Sequence, residues 1–128
     1  MRIFKTRPFA RFARREGIDD GTLAEAVESA EKGLIDADLG GGVIKLRIAR
    51  QGQGKSGGYR VIVLFRKADL AFFVYGFAKN ARQNISKEEL RAFRALADEM
   101  LKMDDADLRA AMRNGTIVEV RHGQELQK

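Results

Sequence analysis

The 128-residue chain contains no cysteine, an absence that removes disulfides, thiolate metal sites and cysteine nucleophiles together. Histidine occurs once, at His122 near the end, so the usual general acid–base residue is nearly missing. No apolar run approaches the ~20 residues of a membrane span. Met1 leads into Arg2-Ile3-Phe4-Lys5, which reads as a strand and not as a signal peptide. These lacks point to a cytoplasmic protein with no membrane attachment. What is present is a hydrophobic share of 45%, too high for a disordered chain. A single domain of this length buries roughly two-thirds of its unfolded surface.

The net charge of +6 is unevenly spread. Residues 1–15 carry six Arg or Lys and no acid, whereas residues 16–42 carry eight acids and one Lys. Residues 43–82 carry nine basic residues against Asp69 alone. A net +8 over forty residues of expected sheet is the electrostatic footprint of a polyanionic partner. An anionic membrane fits less well, because the cations fall on strands and not on an amphipathic helix.

Local patterns give the order of elements. Arg2 to Lys5 reads as a strand, and Thr6 with Pro8 opens a helix that Gly17 ends, with Phe9, Phe12 and Ala13 as its apolar stripe. Asp19 or Asp20 caps a second helix striped by Leu23, Val27, Ala30 and Leu34. Gly40-Gly41-Gly42 marks the switch to strands. Val43 to Ala49 then alternates, with Ile44, Leu46 and Ile48 on one side and Lys45 and Arg47 on the other. Tyr59 to Arg66 and Leu70 to Ala78 read as two further strands joined by a tight turn. Ser86 and Glu89 fit a capping box at the start of a third helix. A shorter helix follows from Asp104 or Asp105, Gly115 stops it, and Thr116 to Val120 forms an edge strand. The class expected is α+β: a small antiparallel β-sheet with an N-terminal helical hairpin and a C-terminal helix packed on one face.

The stretch GQGKSGGYR, Gly52 to Arg60, raises the question of a phosphate-binding loop. A Walker A motif needs a glycine five residues before its Gly-Lys-Ser and a helix after it. Here Ala49 holds the first position and a strand, Tyr59-Arg60-Val61, follows. Without a helix N-terminus to receive the phosphate, the segment reads as the glycine-rich tip of a hairpin. Its neighbours are cationic: Lys45 and Arg47 share a strand face, Arg60 starts the facing strand, Lys55 sits in the tip, and Lys79 and Arg82 follow the third strand. Tyr75, Phe77 and Lys79 share a face by the two-residue period, mixing rings with cations as single-stranded nucleic acid binding requires. Phe77 is expected in the core, and Tyr75 is open to core packing or base stacking.

The segments IKLRIARQGQGKSGGYRVIVLF and YGFAKNARQNISKEEL resemble a RelE/HigB-type bacterial toxin of the RelE/ParE superfamily. The resemblance is strong over the central half of the chain and looser over the first forty residues. Residues 103–128 extend past the compact family core as a C-terminal extension of a single RelE-like domain, 1–128. The resemblance implies a toxin of a type II toxin–antitoxin system, acting as a ribosome-dependent mRNA endonuclease and silenced by a helix-turn-helix antitoxin. Its expected partners are therefore mRNA, ribosomal RNA and that antitoxin, with no cofactor and no metal.

RNA is cut without metal when its own 2′-hydroxyl attacks the adjacent phosphate, given a base, an acid and cations for the developing charge. With His122 in the tail, lysine is the substitute, provided like charges nearby draw its pKa of ~10.4 toward neutrality. Matched to the family pattern, Arg60 stabilises the transition-state phosphate and Lys79 is phosphate ligand or general acid. Lys45 and Arg47 are candidate base and phosphate clamp. Lys55 holds backbone phosphate from the tip, and Tyr75, Asn80 and Arg82 bind or orient substrate. Two other readings stay open: a ParE-like gyrase inhibitor, though such relatives lack the catalytic cations, and a non-catalytic nucleic-acid-binding module.

Overall fold

The computed structural model describes residues 1–50 and 54–121, without the side chains of residues 54–57. Its elements in chain order are β1 (Arg2–Thr6), α1 (Arg7–Glu16), α2 (Asp20–Glu31), β2 (Ala37–Gly40), β3 (Val43–Arg50), β4 (Gly54–Arg66), β5 (Leu70–Ala78), α3 (Lys87–Met100), α4 (Asp105–Arg113) and β6 (Ile117–Glu119). The strands form one sheet in the order β2-β3-β4-β5-β1-β6. β1 runs parallel to β5, and the other pairings are antiparallel. The expected α+β class with a small, mostly antiparallel sheet holds.

Helix boundaries follow from their caps. Asp19 accepts the Thr22 N–H at the head of α2, and Ser86 with Glu89 forms a reciprocal capping box on α3. Asp104 and Asp107 do the same for α4. Gly17, at φ 71°, closes α1 in the left-handed conformation that glycine adopts without penalty.

Three expectations are corrected. The helices do not all lie on one side. Phe9 and Ala13 of α1, with Leu23, Val27 and Ala30 of α2, pack against Ile44, Leu46, Ile48, Val61 and Phe73 on one face. Ala97 and Met100 of α3, with Leu108 and Ala111 of α4, pack against Val43, Ile62, Leu64 and Phe72 on the other. A stripe repeated every three or four residues says that a helix is half-buried, not which face of a sheet receives it. Second, Gly40 to Gly42 is not a helix-to-strand switch: Gly40 ends β2, and the turn returns into β3. Third, Leu34 is not part of the α2 stripe. It lies beyond the helix end and is 67% exposed.

A bulge in β5 sets the faces near its end. Ile62 pairs with Tyr75 and Val63 with Phe73, which leaves Val74 as the extra residue. The extra residue shifts the phase of the strand, so Tyr75, Phe77 and Lys79 join the face of Ile62 and Arg60. Gly76 consequently turns toward α1, where a Cβ would meet the Phe12 ring at 2.4 Å; only glycine permits that approach.

Candidate nucleic-acid interface

On the face covered by α3 and α4, strand register creates three cross-strand rungs. The first is Val43–Leu64–Phe72, the second Lys45–Ile62–Tyr75, and the third Arg47–Arg60–Phe77. The Lys79 N–H donates to the Gly58 carbonyl at 3.1 Å, continuing the ladder one step past β5. The structure thus brings together four of the residues singled out in the sequence, Lys45, Arg47, Arg60 and Tyr75, and carries the chain on to Lys79 beside them.

Arg47 and Arg60 stand directly opposite one another, an arrangement that repels unless an anion intervenes. Asp36 intervenes. Its Oδ1 accepts from Arg47 Nε at 2.7 Å, while Oδ2 lies 3.4 Å from Arg60 Nε and 3.6 Å from Lys45 Nζ. Burial pushes the Asp36 carboxyl up, but the hydrogen bond from Arg47 and the charges of Lys45, Arg47 and Arg60 outweigh it, holding the group below the usual carboxylate range. Arg60 is almost fully buried, with its side chain 5% exposed, whereas that of Arg47 is 48% exposed. Lys45 also reaches Asn84 Oδ1 at 3.5 Å. Arg60 therefore forms the floor of the cluster and Arg47 its open rim.

Asp36 and Asn84 were not singled out in the sequence. The cluster was expected to hold cations alone, and a carboxylate stands at its centre. Ala37 to Gly40 folds back through three glycines onto Val43, which places Asp36 beside Lys45, whose carbonyl accepts the Asp36 N–H at 2.9 Å.

The remaining candidates divide. Arg82 is engaged in a forked pair with Glu89, at 2.7 and 3.1 Å, and also donates to the Tyr75 hydroxyl at 2.8 Å. The Glu89 hydrogen bond raises the Arg82 guanidinium further above its ordinary value, and the reciprocal bond lowers the Glu89 carboxyl to about 2. Its guanidinium also lies 5.8 and 5.6 Å from the ring centres of Tyr75 and Phe77. Tyr75 packs at 6.0 Å from Phe77 and 5.9 Å from Phe93, so it is wedged between strand and α3 instead of standing free for a base. Phe77 is buried, as expected. Asn80 is exposed, and Lys79 makes no ion pair among the described residues. Gln51 to Gln53, the Lys55 side chain and His122 lie outside the described residues.

Beside the cluster, a groove of about 600 Å³ opens between α2 and β3, lined in part by Glu25, Ser29, Asp36 and Arg47. On the far side of the sheet, Arg7, Arg11, Arg14 and Arg15 are all exposed on α1. No helix among the described residues is long and apolar enough to cross a membrane.

A family model described as "RelE toxin of RelE / RelB toxin-antitoxin system" matches residues 1–120. No curated protein matches the chain.

Proposed function

Because the chain belongs to the RelE toxin family, and so is the toxin partner of an antitoxin, we propose that it is a ribosome-dependent mRNA endonuclease working without metal. The observation that carries this reading is the convergence of Lys45, Arg47 and Arg60 at one end of a sheet face, open at Arg47, with Lys79 following β5 beside them. Such a cluster fits a phosphodiester far better than it fits a neutral ligand.

In the proposed reaction the 2′-oxygen forms a bond to phosphorus and the bond to the 5′-oxygen of the next nucleotide breaks. Arg60, held rigid by burial, stabilises the extra negative charge on the phosphate, and Arg47 clamps a non-bridging oxygen from the rim. Lys45 is the candidate acceptor of the 2′-hydroxyl proton. Lys79 is the candidate donor to the leaving oxygen. A well-placed acid or base contributes roughly 10²–10⁴ in rate. Lys55 and Asn80 are assigned to backbone contacts, and Arg82 and Tyr75 orient the segment after β5.

Docking supplies the orientation that a flexible message lacks in solution. The exposed arginines of α1 are assigned to ribosomal RNA phosphates, and a helix-turn-helix antitoxin is assigned as the silencing partner. Reversing Arg11, Arg14 and Arg15 to Glu together is expected to weaken ribosome association; unchanged association removes that role.

The deciding experiment mixes purified protein with actively translating ribosomes and maps message ends. Wild type is expected to cut within translated message, and Arg60→Ala with Lys79→Ala to remain ribosome-bound without cutting. Intact transcripts with tight binding would instead identify a binding module. Inhibited supercoiling by gyrase with intact transcripts would identify a gyrase inhibitor.

A further inference from the structure

Asp36 is the one acid inside the described cation cluster, and its manner of pairing is specific. It engages Arg47 through Nε, and among the described residues Arg47 makes no other hydrogen bond. A guanidinium held at Nε keeps its four terminal N–H donors in a fixed plane for another acceptor. The second carboxylate oxygen sits between Arg60 and Lys45, on the two neighbouring strands. Asp36 is itself only 12% exposed, and its backbone N–H is tied to the Lys45 carbonyl at 2.9 Å. One anchored anion therefore sets the spacing of three cations that would otherwise push apart.

We propose that Asp36 is the positioning residue of this site, fixing Arg47, Arg60 and Lys45 as a preformed receptor for one phosphodiester of single-stranded RNA. The assignment rests on the nuclease reading for its catalytic consequence, though not for the ordering of the arginines. It differs from a counter-ion that merely makes burial tolerable. A counter-ion would be replaceable by any carboxylate that reaches the cations, whereas a positioning group is sensitive to its length as well as its charge. Removing its charge raises the net positive charge of the cluster by one, so affinity for RNA and competence to cut are expected to move in opposite directions.

Asp36→Asn, Asp36→Glu and the unaltered protein are compared on two substrates: a translated message, and the same message with a 2′-deoxy group at the mapped cut site. For Asp36→Asn, turnover at saturation is expected to fall about 10–100-fold, the effect of small misplacement of reacting groups. Binding of the uncut analogue is expected to be equal or tighter, with a salt dependence steeper by about 0.7 in log–log slope, as for one added phosphate contact. Asp36→Glu is expected to retain wild-type binding with an intermediate turnover. Wild-type turnover in folded Asp36→Asn overturns the proposal, as does a joint loss of binding and melting temperature. Should Asp36→Asn not fold, wild-type turnover in Asp36→Glu overturns it. The arginine Nε–H resonances of the free protein separate this failure from that of the nuclease reading. They are expected to be slowly exchanging for Arg47 and lost in Asp36→Asn, whether or not any message is cut. An unchanged Arg47 resonance sinks the positioning role alone.

Discussion

The two ends of one sheet face share strands, backbone geometry and side-chain alternation, yet they have opposite chemistry. At one end Val43, Leu64 and Phe72 lie side by side beneath α3 and α4. Two rungs further on, the same three strands present Arg47, Arg60 and Phe77. Between them, Lys45, Ile62 and Tyr75 grade from apolar to charged. The apolar end is stabilised by removal from water, which needs no partner of fixed geometry. The cationic end needs an anion at a defined place, and Asp36 supplies it. The covering helices complete the core at the apolar end, and at the other end Arg47 is the one of the three cations that is substantially exposed.

The contrast can be broken from either end. At the apolar end Phe72 is fully buried and stacks on Phe4 at a centroid distance of 5.4 Å. Phe72→Ala is expected to lower unfolding free energy by about 3–5 kcal/mol in a denaturant titration, the usual range for emptying such a site. Message cleavage by the fraction that remains folded should change little. At the cationic end, Arg60→Ala is expected to lower turnover about 10²–10³-fold, as for the removal of one preorganised charge donor. Rapid-quench analysis of ribosome-bound message checks it. Equal losses of stability from both substitutions would erase the distinction between the ends.

Much of this contrast was legible in the sequence, because alternation in Val43 to Ala49 separates Lys45 and Arg47 from Ile44, Leu46 and Ile48 without any tertiary information. The capping box of Ser86 and Glu89 was legible for the same reason: it is local. Strand β2 was not, since Ala37-Asp38-Leu39-Gly40 has poor strand propensity and is extended only because β3 pairs with it. With β2 went Asp36 and the anionic centre of the site. Nor could the run Phe72-Phe73-Val74-Tyr75 reveal its bulge, because a continuously apolar run has no alternation to interrupt. Contacts with Glu89 and Phe93 of α3 make Arg82 and Tyr75 a brace between β5 and that helix, which local sequence does not show.

That brace joins the two ends, and two smaller changes test it. Ser86 accepts the Glu89 N–H at 3.1 Å, and Ser86→Ala is expected to destabilise by about 0.5–2 kcal/mol in the same titration, the range for losing an N-cap. Cleavage should be nearly unaffected, because the Arg82–Glu89 pair remains.

Glu89→Gln is expected to have the smallest effect, since glutamine keeps the capping geometry at N3 and loses only the charge facing Arg82. Its signature is in pH. The hydrogen bonds from Arg82 and the Ser86 N–H lower the Glu89 carboxyl from 4.5 to about 2. A carboxyl depressed on folding contributes stability in full above its unfolded value and loses it as pH falls toward the folded one. The deficit of Glu89→Gln relative to wild type should therefore be constant above about pH 5 and vanish as pH falls toward about 2. Thermal melts across that range decide the matter. A deficit independent of pH would mean that Glu89 acts by shape alone, and that the brace between the apolar and cationic ends is packing of Tyr75 on Phe93 with no electrostatic part.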